Sequence, residues 1–257
     1  MPVTTDNYTI TWEKLPDDFV LDDSPGDNID QPLLAAALRE SLEITGLLRE
    51  GVLVATNFGL CATLNGKLVI KAPDWVYVRA VQLEASREIR RSYTPHLSGE
   101  IPAIVMEFLS DTGGEVYSIK RTYPPGKWFF YEQILRVPNY AIFEPVTGLL
   151  EVYRLDDRGQ YDLQPPDANG RYWISGIELF LGVWQGTKAE RTGHWLRWWN
   201  ESGQMLPWGA ELVQQERQRA EEERQRAEEE RLRAEEERLR AERLAEQLRQ
   251  AGIEPEV

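Results

Sequence analysis

The spacing of apolar positions changes character several times along the chain. In "DQPLLAAALRESLEITGLL", Leu33, Leu34, Ala37, Leu38, Leu42 and Ile44 fall mostly on one helical face and Gly46 stands near the end, so a helix is predicted over residues 30–48. Next come "GVLVATNF" and "KLVIKAPDWVYV", separated by the turn-like "LNGK", and then "IPAIVMEFLS"; all three read as strands. The last is apolar enough to be buried on both faces. "PGKWFFYEQIL" predicts a second helix from about Pro125 to Leu135, with proline at its start. "NYAIFEP" and "LLEVYRLDD" follow as two strands joined around Thr147 and Gly148. From Gly159 to Trp208 the chain reads as short strands and turns. The body is thus predicted as mixed α/β with a β-rich end.

Near Pro207 the pattern gives way to "ERQRAEEERQRAEEERLRAEEERLRAER", a seven-residue repeat without Gly or Pro from Ala210 to Ala251. Its Ala, Glu, Arg, Leu and Gln favour helix, and about 40 residues at about 1.5 Å each make a rod of roughly 60 Å. A coiled-coil seam needs apolar residues at alternating spacings of three and four. Placing Ala220, Ala227, Ala234 and Ala241 at the first seam position puts Glu223, Glu230 and Glu237 at the second. The charges are better ordered: Glu222 and Arg226, Glu229 and Arg233, and Glu236 and Arg240 are i,i+4 pairs with the acid first. Two readings stay open, a solvated charged helix and a weak coiled coil formed with another copy or a partner protein. The expected division is 1–208 for the globular part and 209–257 for the charged helix.

Charge then restricts the function classes. The formal net charge is −14, but residues 61–210 hold 17 acids and 16 bases, while residues 1–60 hold 11 acids and 3 bases. An acidic chain gains little non-specific affinity for a polyanion, so a dedicated DNA binder is disfavoured, although a local basic patch such as "REIRR", Arg87 to Arg91, is compatible with contact. One cysteine, Cys61, precludes an internal disulfide framework, and the first residues lack the basic and apolar regions of a signal peptide. A cytoplasmic setting is expected. No apolar run reaches the roughly 18 residues of a membrane span, so no membrane association is expected.

Two acids sit in unfavourable company. Asp74 opens the strand Trp75, Val76, Tyr77 and Val78, and Glu107 lies within the most hydrophobic strand, between Met106 and Phe108. A buried carboxylate is costly unless paired, protonated or bound to metal. Neighbouring strands lie about 4.8 Å apart, so the two acids are able to converge, and a divalent cation relieves the repulsion between them. Each has a purely structural reading as well: Glu107 as a salt-bridged core acid, Asp74 as a turn residue after Pro73. With only His96 and His194, neither a zinc site nor a Ser-His-Asp triad finds its residues, and there is no GxxxxGK[ST] loop. The "WLRWW" run, Trp195 to Trp199, reads as sheet packing before it reads as a base-stacking surface.

The succession of helix, hairpin with "PD", strand with "VMEFLS", helix and strand resembles the core of the PD-(D/E)XK nuclease superfamily. More closely, "APDWVYV", "IPAIVMEFLS", "GKWFFYEQILRVPNYAIFEP" and "LLEVYRL" resemble the Uma2 (DUF820) family of restriction-endonuclease-like proteins, over roughly residues 10–205. The resemblance implies an α/β fold with a mixed central sheet flanked by helices, here with an added β-rich segment and a long charged C-terminal helix. It implies that Asp74 and Glu107 hold Mg²⁺, with Mn²⁺ as a substitute, and that Lys127 is the catalytic lysine. The simplest superfamily pattern has that lysine two residues after the acid, where this chain has Leu109; Lys120 is the alternative to Lys127. Glu40 on the first helix matches an acid that some members add to the metal site. The implied activity is endonucleolytic hydrolysis of a nucleic acid, DNA before RNA. Two other classes compete: a catalytically inactive relative that binds partners through its tail, and an unrelated carboxylate-pair enzyme such as a glycosidase.

Overall fold

The computed structural model describes residues 3–5, 8–14, 29–82, 90–109 and 116–250. Most of the expected "REIRR" patch lies outside the described residues. The chain divides into two compact units, Met1–Pro207 and Trp208–Val257.

In the first unit, the strands β1 (Val3–Thr5) and β2 (Tyr8–Thr11) precede helix α1 (Asp30–Ile44), which stops four residues before its predicted end because Gly46 takes a left-handed conformation (φ 72°). Five strands follow where the sequence suggests three: β3 (Leu53–Ala55), β4 (Leu60–Leu64), β5 (Lys67–Lys71), β6 (Trp75–Val78) and β7 (Ile104–Phe108). Asn65 and Gly66 both have positive φ, 49° and 75°, the pair of conformations a two-residue hairpin turn requires, so "LNGK" joins β4 to β5 rather than β3 to β5. The predicted continuous strand "KLVIKAPDWVYV" is two. Ala72, Pro73 and Asp74 separate β5 from β6, and the two strands enter different sheets. Proline cannot donate to a sheet ladder, which makes this the natural place for the chain to change sheets.

After β7, a short helix α2 (Lys127–Phe129) continues as a π-helical segment, Phe130–Leu135. The remaining strands are β8 (Asn139–Glu144), β9 (Leu149–Leu155), β10 (Tyr161–Leu163), β11 (Arg171–Ile174), β12 (Leu179–Lys188) and β13 (Arg191–Trp199). They complete a six-stranded mixed sheet in the order β10-β9-β8-β7-β6-β3, a four-stranded sheet β1-β2-β4-β5, and a three-stranded sheet β11-β12-β13. In the large sheet only β7 and β8 run parallel, and α2 with its π-helical continuation lies in their connection. Both β6 and β7 are buried at every position, as their apolar sequences require.

The tryptophans of "WLRWW" serve packing. Trp195 and Trp198 are fully buried; Trp198 tilts against Trp75 at 5.8 Å between ring centroids and donates its indole N–H to the carbonyl of Leu38 on α1 at 3.2 Å. Arg197 between them is equally buried, its guanidinium over the Trp184 ring and bonded to the carbonyl of Leu206 at 2.7 Å. Trp198 therefore braces α1 and β6 together, one residue from Asp74.

The second unit contains α3 (Gly209–Gln250), 42 residues long with no buried position. At its start Glu211 accepts a hydrogen bond from the backbone N–H of Trp208 at 2.8 Å, a capping arrangement. Along its surface run ion pairs such as Glu229 with Arg233 at 4.0 Å and Glu228 with Arg231 at 2.7 Å. Exposed pairs of this kind contribute only tenths of a kcal/mol each. No described helix is long and apolar enough to cross a membrane.

Trp198→Ala removes a buried ring and its hydrogen bond to the Leu38 carbonyl, and is expected to lower stability by ~3–5 kcal/mol, whereas Trp198→Phe costs less. Chemical denaturation of the two variants beside the wild-type protein measures the difference.

Candidate active site

The antiparallel register of β6 and β7 pairs Tyr77 with Ile104, Val76 with Val105 and Trp75 with Met106. One step further along the same register brings Asp74 opposite Glu107. The Asp74 carboxylate is held there by the backbone N–H of Phe108, which donates to its Oδ2 at 2.5 Å. The awkward acid at the mouth of a buried strand is thus a strand-end residue fastened to the neighbouring strand beside a second acid.

Glu107 is buried to 1% exposure, and both of its oxygens have partners from the β7–β8 connection. The Lys127 ammonium meets Oε2 at 2.8 Å, and the Tyr131 hydroxyl donates to Oε1 at 3.0 Å. Lys127 and Tyr131 are four residues apart, so they project from one face of the helical segment toward one carboxylate. What seats that segment is Gly126. A Cβ there would come within 2.0 Å of the Ser118 carbonyl oxygen, so only glycine permits the close approach of two chain segments that aims Lys127 at the sheet. Gly126 also donates its N–H to the carbonyl of Lys120 at 2.9 Å.

The electrostatics are those of two carboxylates and one ammonium in a largely dry place. Burial pushes the Glu107 carboxyl up to about 7; the Lys127 charge pulls it down and the Asp74 charge pushes it up again. Tyr131 is held well above its ordinary value, first by burial and then by the Glu107 charge, and so remains a proton donor. The Cys61 thiol, buried, is pushed up to about 11 and is not a nucleophile at neutral pH.

Among the residues singled out from the sequence, Asp74, Glu107 and Lys127 come together. Lys120 is exposed, and the lysine in contact with the acid is Lys127. The expected third acid does not join them. Glu40, on α1, pairs with Lys188 of β12 at 2.5 Å, and the described residues contain no group of three or more His, Cys, Asp or Glu suited to a metal ion. The α1 side chain that does reach β7 is buried Gln31, whose amide donates to the carbonyl of Phe108 at 2.9 Å. Neither Gln31 nor Tyr131 was anticipated. The spacing of Tyr131 from Lys127 within "GKWFFYEQIL" was the available signal for the second; nothing in the sequence marks Gln31.

The family model for Uma2, described as "Putative restriction endonuclease", matches residues 27–185, which include α1, the whole large sheet and the three converging side chains. The chain belongs to the Uma2 family. No curated protein matches it. Within this Uma2 protein the match stops short of β13 and α3, so the tail lies beyond what the family model describes.

Because the folded-state Glu107 carboxyl sits above its unfolded value of 4.5, the unfolded chain releases that proton first as pH rises. Its contribution to stability is therefore full below the unfolded value and falls as pH rises toward about 7, levelling off above it. In metal-free buffer, wild-type stability should decline between pH 5 and 8 by more than that of Glu107→Gln, as followed by urea denaturation at each pH.

Proposed function

We propose that this Uma2 protein is a Mg²⁺-dependent nuclease hydrolysing phosphodiester bonds in nucleic acid, DNA before RNA, with the residues 1–208 forming a restriction-endonuclease-like catalytic domain. The observation that carries the reading is the meeting of Asp74, Glu107 and Lys127 at the adjoining ends of β6, β7 and the β7–β8 connection.

The donor set suits the cation. Two carboxylates from adjacent strands are a hard-oxygen pair, and Mg²⁺ commonly takes one or two protein carboxylates with water and phosphate completing its shell. The elevated Glu107 carboxyl is compatible with this: burial first, and then the second carboxylate beside it, raise the cost of ionisation, and a divalent cation offsets it. Asp74 and Glu107 would be the ligands. When bound, the ion supplies Lewis-acid polarisation of a phosphoryl oxygen and a water that ionises more readily. Asp74 is kept in position by the Phe108 N–H, and Glu107 by the Tyr131 hydroxyl. Lys127, whose side chain is one-fifth exposed, keeps its ammonium next to Glu107 and presents charge where a phosphate oxygen gains negative charge during hydrolysis. The role of the helix α3 in this reading is association, with another copy or with a protein partner, in a cytoplasmic setting.

Nicking of supercoiled plasmid with Mg²⁺ is the test. Asp74→Ala, Glu107→Gln and Lys127→Ala should each lower the rate by about 10²-fold or more, the scale of losing a preorganised charge-stabilising group, while Tyr131→Phe, which removes only one of the two bonds that position Glu107, should lower it by less than any of these. Equal rates in all the proteins would overturn the assignment. As an independent readout, Mg²⁺ should raise the thermal midpoint of wild-type protein and leave that of Asp74→Ala unmoved.

A further inference from the structure

The basic residues of the globular unit are unevenly placed around the site. Residues 65–73 and 116–127, the β4–β5 turn with β5 and the chain leading into α2, contain five cations, Lys67, Lys71, Lys120, Arg121 and Lys127, and not one acid. This is in a protein with 43 acidic and 29 basic residues. The two segments are far apart in sequence and adjacent in space. The Tyr123 hydroxyl donates to the carbonyl of Leu68 at 3.0 Å, and the Lys67 ammonium stands over the Tyr123 ring at 5.1 Å. Within the second segment the Lys120 carbonyl accepts from the Gly126 N–H, next to Lys127, and the Arg121 guanidinium stands 5.9 Å from the centroid of the Phe129 ring, two residues beyond Lys127.

Lys67, Lys120 and Arg121 are exposed, and so are Ile119 (69%) and Tyr123 (52%) among them. Lysines on an edge strand such as β5 often serve to prevent edge-to-edge pairing. That accounts for Lys67 and Lys71 but not for Lys120 and Arg121, which belong to no strand. Cations interleaved with exposed aromatic and apolar groups are instead the surface that tracks a nucleic-acid backbone, and this one ends at the candidate lysine.

We propose that Lys67, Lys120 and Arg121 form a ridge that binds successive backbone phosphates of a nucleic-acid strand whose reacting phosphate lies at Lys127. The proposal rests on the nuclease reading and assigns the side from which the strand approaches. Because phosphates carry no sequence information, the ridge sets position and affinity and leaves base preference unchanged. It also explains how a chain of net charge −14 engages a polyanion: the positive field is concentrated beside the site rather than spread over the molecule.

Binding of a fluorescein-labelled DNA duplex, measured by anisotropy across a salt series in the uncut Glu107→Gln background, tests it. The triple variant Lys67→Gln/Lys120→Gln/Arg121→Gln should bind more weakly, with the slope of log K against log salt shallower by about 2.7, near 0.9 per phosphate contact. The charge-conserving variant Lys67→Arg/Lys120→Arg/Arg121→Lys should keep the parental slope, which separates lost charge from a folding defect. A control that removes equal charge from α3, Arg217→Gln/Arg219→Gln/Arg226→Gln, should also keep it. A parental slope in the ridge variant, or an equal loss in the control, overturns the ridge; if the wild-type protein meanwhile nicks plasmid, the nuclease reading stands without it. Absence of both binding and cleavage in the parent and wild-type proteins discards the two together.

Discussion

A carboxylate at the centre of an apolar strand can be kept only by partners that compensate its desolvation, and in this protein the Glu107–Lys127 pair sets the terms for the structure around it. Removing an ion from water costs several kcal/mol, which mutual attraction repays only with good geometry and further hydrogen bonds. The geometry comes from three devices. Gly126 allows the helical segment to approach closely enough to deliver Lys127, the same segment adds the Tyr131 hydroxyl to the other oxygen, and the β6–β7 register sets Asp74 alongside. None of these is explained by packing alone. A hydrophobic residue in place of Glu107 would fill β7 with less difficulty, so the cost is borne for what the charges do.

The placement of the site follows from the way the chain changes sheets. β5 and β6 are separated by three residues, yet one belongs to the four-stranded sheet and the other to the six-stranded sheet. Asp74 stands at that crossing, at the end of β6 and not in its middle. Asp74 is only partly buried, while Glu107 opposite is sealed. The pair therefore grades from dry to wet, a setting that suits the proposed hydrolysis.

Long apolar segments made much of this legible. The α1 periodicity, the doubly buried β7 and the β8 and β9 strands follow from pattern, because each is decided by burial over many residues, whereas α3, with no buried position, follows from the helix propensity of its repeat. Asp74, Glu107 and Lys127 were identifiable because a charge in an apolar strand is an anomaly and the surrounding motifs resemble Uma2 proteins. What stayed hidden depended on tertiary pairing. β4 is five residues of "LCATL", too short and too featureless to separate from its neighbours, and the division of "KLVIKAPDWVYV" is settled by which sheet accepts each half. Glu40 was misplaced for a similar reason: helical spacing fixes a face, but Lys188, distant in sequence, decides where its carboxylate goes.

The parallel β7–β8 pair has a consequence for timing. Parallel neighbours require a crossover, and here the crossover itself carries the ammonium that Glu107 needs. A nascent chain that has emerged only as far as Phe108 holds an acid in a strand with no counter-charge and no β8 beside it. Only when the segment to Glu144 is available do the lysine and the strand arrive together, so assembly of the Asp74, Glu107 and Lys127 cluster is coupled to completion of the sheet, and a truncated or half-synthesised chain holds the acid without its counter-charge.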